Sequence, residues 1–169
     1  MDLIVKNPHI AAWGGQEFRC AIGRGGLIAA EAKREGDGAT PIGTWKMREI
    51  IYRADRIQLP TTSLPARAMQ PDDGWCEIPE DARYNQLVKH PYATPVDKMW
   101  RDDHLYDVVV VLGYNDDPVV AGKGSAIFLH LARPDFSPSA GCVTLSLDDL
   151  LRVVRGADKV SAVAVLAPT

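Results

Sequence analysis

Ile127-Phe128-Leu129-His130 and, twelve residues past that histidine, Cys142-Val143-Thr144-Leu145 are two short apolar runs. Between them lies a loop of turn formers that includes Arg133, Pro134, Asp135, Ser137, Pro138, Ser139 and Gly141. Each run is too short for a helix and suits a pleated surface. The segment therefore predicts a strand ending at His130, an excursion, and a returning strand that carries Cys142. A connection of this length brings imidazole and thiol face to face. Outward from it the same syntax recurs. Residues 3–5, 16–22, 27–31, 44–52 and 160–166 read as strands. The continuous run Val108-Val109-Val110-Val111-Leu112 reads as a central strand covered on both faces. Thr40-Pro41-Ile42-Gly43 reads as a turn into the strand that follows, and residues 53–74 as an irregular excursion with room for one more strand. One helix is expected. Ser146 is its N-cap with Asp149 three residues on, and Leu147, Leu150, Leu151 and Val154 form its apolar face. Arg152 and Arg155 sit in its last turn, and Gly156 is its stop. The predicted fold is mostly β: a curled mixed sheet or β-sandwich with one packed C-terminal helix, as a single domain over residues 1–169.

Composition narrows the function. A formal net charge of −3 and the lack of aromatics interleaved with Lys and Arg argue against nucleic acid as a partner. Three cysteines are an odd number, so a full disulfide framework is impossible, and Cys20 and Cys76 read as buried thiols. No Cys-x-x-Cys and no paired histidine spacing exists, so neither a metal nor another cofactor is expected. Gly23-Arg24-Gly25-Gly26 reads as a hairpin turn rather than a phosphate loop, since no helix with Lys-Ser/Thr follows it. No run has transmembrane length, and Met1 to Pro8 reads as the first strand rather than a signal peptide.

A thiol needs a partner to become a nucleophile, because free cysteine titrates near 8.5. His130 is placed to take the proton of Cys142 and return it to a leaving amine. The backbone N–H groups of Gly141 and Cys142 are the expected oxyanion donors, with Ser139 in support. The competing reading is an inert core thiol. His90 and His104 are alternative bases, though neither ends a strand facing the nucleophile turn. The helix starts too far beyond Cys142 for its dipole to activate the thiol. A backbone carbonyl is expected to orient the imidazole, ahead of Asp107.

The segment resembles the signature of the YkuD-type L,D-transpeptidases, a histidine followed by a [Ser/Thr]-His-Gly-Cys turn. His130, Ser139, Gly141 and Cys142 match it, whereas Ala140 stands where the family has its second histidine and Thr144 where it commonly has Arg or Asn. Thr40-Pro41-Ile42-Gly43-Thr44-Trp45 is similar to the family's Thr-Pro-x-Gly-aromatic turn. The resemblance implies a β-rich catalytic fold and a cysteine acyltransferase that cross-links peptidoglycan stem peptides through a thioester on Cys142, working in the periplasm or cell envelope. It also makes the loop before Thr40 a wall of the cleft, so Lys33, Arg34 and Asp37, with Trp100, become candidate substrate contacts. Two alternatives stay open: a cell-wall L,D-carboxypeptidase or endopeptidase using the same cysteine, and a non-catalytic peptidoglycan-binding module.

Overall fold

The computed structural model describes residues 1–94 and 96–168. Thirteen strands and one helix are formed among the described residues: β1 (Leu3–Asn7), β2 (Ile10–Trp13), β3 (Gln16–Ala21), β4 (Leu27–Ala29), β5 (Thr40–Tyr52), β6 (Ala66–Ala68), β7 (Asp73–Trp75), β8 (Leu87–Lys89), β9 (Asp97–Lys98), β10 (Val108–Leu112), β11 (Phe128–Leu131), β12 (Val143–Leu145), α1 (Leu147–Gly156) and β13 (Ala162–Val165). The expected mostly-β fold with one packed helix is what forms, and the sheet curls until it closes. Its order runs β10-β11-β12-β3-β2-β1-β13-β5, and β5 pairs again with β10. Closure depends on the length of β5. Its first half, Gly43 to Lys46, pairs with β13, and its second half, Met47 to Tyr52, pairs with β10.

That long strand corrects one expectation. Thr40 to Gly43 are not a turn but the start of β5, in parallel register with β4. Gly43 is needed there, because its φ is +146° and a Cβ would come within 2.5 Å of the Trp45 ring.

Alternation along the barrel strands creates two cores. Val108, Val110, Leu112, Leu129, Leu131, Val143 and Leu145 point into the main one. Val109, Val111 and Phe128 point outward into a second, shared with Trp75, Met99 and Cys142. A three-stranded sheet in the order β8-β7-β9 covers that outer face. The Val108–Leu112 run is thus buried on both sides, as its unbroken apolar character requires.

Ser146 caps α1 as expected, its hydroxyl accepting from the Asp149 N–H. The apolar stripe begins later than predicted. Leu147 is exposed, while Leu150, Val153, Val154 and Ala157 are buried, the same spacing started three residues on. Leu147 instead lines the rim of an open cavity with Ile57 and Leu131. Gly156 is not the cap; Ala157 is, and Gly156 lets the Trp13 ring pack against the helix, where a Cβ would meet it at 3.2 Å.

Candidate active site

β11 and β12 run parallel, with Leu129 opposite Val143 and His130 opposite Thr144. Since side chains alternate, His130 and Cys142 both emerge on the outer face, beneath the small sheet. They line one cleft of about 140 Å³ with Arg101, Leu105, Tyr106, Arg133, Ser139 and Ala140. The His130 Nδ1 lies 3.0 Å from the Leu131 carbonyl oxygen. A carbonyl only accepts, so Nδ1 carries the proton and Nε2 keeps its lone pair. The edge of the Tyr106 ring packs on the imidazole at 5.1 Å. The orienting group is therefore a backbone carbonyl. Asp107 is engaged elsewhere, by Arg56 at 2.8 Å and His104 at 2.7 Å.

The thiol is held by backbone. Cys142 Sγ donates to the Ala126 carbonyl at 3.1 Å and accepts from the Phe128 N–H at 3.3 Å. It makes no hydrogen bond to His130 among the described residues. Burial pushes the Cys142 thiol up to about 12; the Phe128 N–H opposes this and the charges of Glu77 and Asp97 add to it. Burial likewise brings His130 down to about 4, against the pull of the Leu131 and Leu105 carbonyls. The resting pair is a neutral thiol beside a neutral imidazole, not a thiolate–imidazolium pair.

The turn before Cys142 is braced from two sides. The Ser139 hydroxyl donates to the Cys142 carbonyl at 2.6 Å and accepts from the Gly141 N–H at 3.1 Å. That corrects the expected oxyanion pair, since the Gly141 N–H is already turned onto Ser139. The Cys142 N–H has no partner among the described residues and is the free donor. The Thr40 hydroxyl donates to the Gly141 carbonyl at 2.8 Å and accepts from the Gly23 N–H at 2.8 Å. The two sequence motifs therefore meet at one hydroxyl. Gly141 has φ +137° and its Cα lies against Gly23, whose own Cβ would come within 2.8 Å of it.

The remaining candidates separate. Lys33 is buried, its ammonium fixed to Asp37 at 2.6 Å and to the Arg34 carbonyl at 2.9 Å. Arg34 folds back onto the Glu31 and Lys33 carbonyls, so the three brace their own loop. Lys33 alone of them lines a second cavity, about 170 Å³, that also ends on Cys142. Trp100 lies outside both cavities, with the Arg53 guanidinium stacked 3.6 Å above its ring. His104 is exposed on Asp107, and His90 packs behind Gly74; neither faces Cys142. A larger cavity, about 510 Å³, is lined by Arg56, His104 and Asp107 and includes neither His130 nor Cys142.

Several site residues escaped the sequence reading. Tyr106 lines both cavities, and Arg101 and Arg133 line the first. Glu35 and Glu77 line the second. Asn85 fixes the thiol's acceptor loop: its side-chain oxygen accepts from the Ala126 N–H at 2.9 Å and from Trp75 Nε1 at 3.0 Å. The one available signal was the polar–aromatic character of the loops bearing these residues.

Among the described residues no group of His, Cys, Asp or Glu is arranged to hold a metal ion, and no helix is long and apolar enough to cross a membrane. No curated protein and no solved structure matches the chain. The family model for the L,D-transpeptidase catalytic domain does match, over residues 9–165, a span containing both the Thr40–Trp45 motif and the His130–Cys142 pair. With nearly its whole length covered, the chain belongs to the YkuD family of L,D-transpeptidase catalytic domains.

Proposed function

We propose that residues 1–169 form a single catalytic domain that cross-links peptidoglycan stem peptides in the cell envelope, through a thioester on Cys142. The observation that carries this reading is the shared cleft: a buried thiol and a neutral imidazole with its lone pair free, under one cover. When a donor peptide enters, Cys142 turns from the Ala126 carbonyl toward His130. Nε2 takes the thiol proton as sulfur bonds to the donor carbonyl carbon. The Cys142 N–H receives the developing oxyanion. Collapse breaks the carbon–nitrogen bond, and the Nε2 proton leaves with the amine. An amine of a second stem peptide then attacks the thioester and regenerates the thiol.

Two cavities ending on one sulfur suit a reaction with two peptides, which favours transfer over hydrolysis. Incubation with purified disaccharide-tetrapeptides, followed by mass spectrometry, tests the proposal. A cross-linked dimer is expected, and Cys142→Ala should abolish it. Trimmed monomer alone would make the protein a hydrolase. An unchanged substrate with folded protein would overturn catalysis and leave the binding module.

A further inference from the structure

Transfer to an amine poses a proton problem that the His130–Cys142 pair does not solve. At neutral pH the acceptor arrives as an ammonium ion, which has no lone pair for attack. It must lose one proton before the carbon–nitrogen bond forms and a second as that bond forms. Cys142 needs only one proton back. A group in the cavity through which the amine approaches would take the other without waiting for solvent.

The second cavity contains such a group. Its charged lining is Arg24, Lys33, Glu35 and Glu77, with Tyr106 and Ala140 separating it from the first. Lys33 is committed to Asp37, and Arg24 is exposed at the mouth, where its side chain lies against Gly38. Glu35 accepts from the Tyr84 hydroxyl at 2.5 Å and the Ser125 hydroxyl at 2.7 Å. Glu77 is half-buried and makes no hydrogen bond and no ion pair among the described residues. A carboxylate left without an internal partner, in the same cavity as the nucleophile, is open to a cationic ligand.

Resting on the transfer reading above, we propose that Glu77 accepts the first proton of the incoming ammonium in the second cavity, so that the free amine attacks the Cys142 thioester. The step balances. The ammonium gives one proton to Glu77, and the resulting amine bonds to the thioester carbon. The carbon–sulfur bond breaks, one of the amine's two remaining protons passes through His130 Nε2 to the sulfur, and the other stays as the new amide N–H. Glu77 then releases its proton to solvent. Burial, reinforced by the charges of Asp97 and Glu35, pushes the Glu77 carboxyl up to about 7. Buried His130 stands at about 4, so Glu77 is the better proton acceptor of the two. Tyr106, whose hydroxyl lies 3.3 Å from Asp97, stays protonated and does not compete.

The experiment forms the acyl-enzyme with a tetrapeptide donor, then divides it between two acceptors and reads products by mass spectrometry. One acceptor is a stem peptide bearing a side-chain ammonium. The other is hydroxylamine, which is uncharged at neutral pH. Glu77→Gln should slow transfer from the preformed acyl-enzyme to the ammonium acceptor by about 100-fold. It should leave transfer to hydroxylamine intact. In the wild type, transfer to the ammonium acceptor should show an inflection near pH 7 that hydroxylamine lacks. Equal loss with both acceptors, or identical pH profiles for them in the wild type, overturns the role of Glu77. The wild-type profiles decide even if the variant folds poorly. Failure of the wild type to form any acyl-enzyme overturns the transfer reading itself, which is a different result.

Discussion

At the scale of single residues, the thiol that looks most reactive in the sequence is suppressed in the fold. Cys142 is pushed up to about 12 by burial, and His130 is brought down to about 4. A preformed ion pair would give a thiolate plateau in alkylation below neutral pH. Here iodoacetamide labelling of Cys142 should instead rise about tenfold per pH unit between pH 7 and 10, with no acid plateau. A plateau below pH 7 would mean the resting pair is charged. Asn85 has the largest structural role that the sequence concealed. Besides holding Ala126 and Trp75, its amide donates to the Tyr114 and Asn115 carbonyls at 3.1 and 2.8 Å. Asn85→Ala strips partners from buried groups, each worth about 1–3 kcal/mol. Urea unfolding should register a loss of at least about 3 kcal/mol, and the freed 124–126 loop should release the thiol.

At the scale of elements, the strand that shapes the barrel is β5, and one glycine lets it bend. Gly43→Ala adds a methyl group against the Trp45 ring and forces an unfavourable φ, so thermal unfolding should show a loss of roughly 2–4 kcal/mol. The strands of the candidate site were legible because β11 and β12 each carry a local signal: an apolar run, a terminal histidine, and a Gly-Cys turn. The helix was legible from Ser146 and its apolar spacing, although its buried stripe falls one turn late. Pro41 and Gly43 misled, because Pro and Gly usually mark turns, and only pairing with β4 and β13 keeps this stretch extended. Tyr106, Arg101 and Glu77 had no periodicity to betray them. They sit on connections whose direction is set by the small sheet, and that sheet is held on the barrel by packing between residues distant in sequence, Trp75 on Phe128.

At the scale of the whole molecule, two site groups make stability depend on pH in opposite senses. His130 has a folded pKa of about 4, below its ordinary 6.5, so its contribution is complete above pH 6.5 and is lost as pH falls toward 4. Glu77, raised from 4.5 to about 7, contributes below 4.5 and loses that contribution as pH rises toward 7. Relative to His130→Gln, the wild type should lose about 3 kcal/mol of unfolding free energy between pH 6.5 and pH 4. A difference independent of pH would show that His130 is not desolvated. The three cysteines are all free and all buried. At pH 7 a thiol that titrates near 12 is only about one part in 10⁵ thiolate, against a few per cent for an ordinary cysteine. Peroxide attacks the thiolate, so the burial that keeps Cys142 protonated also shields its sulfur from oxidants.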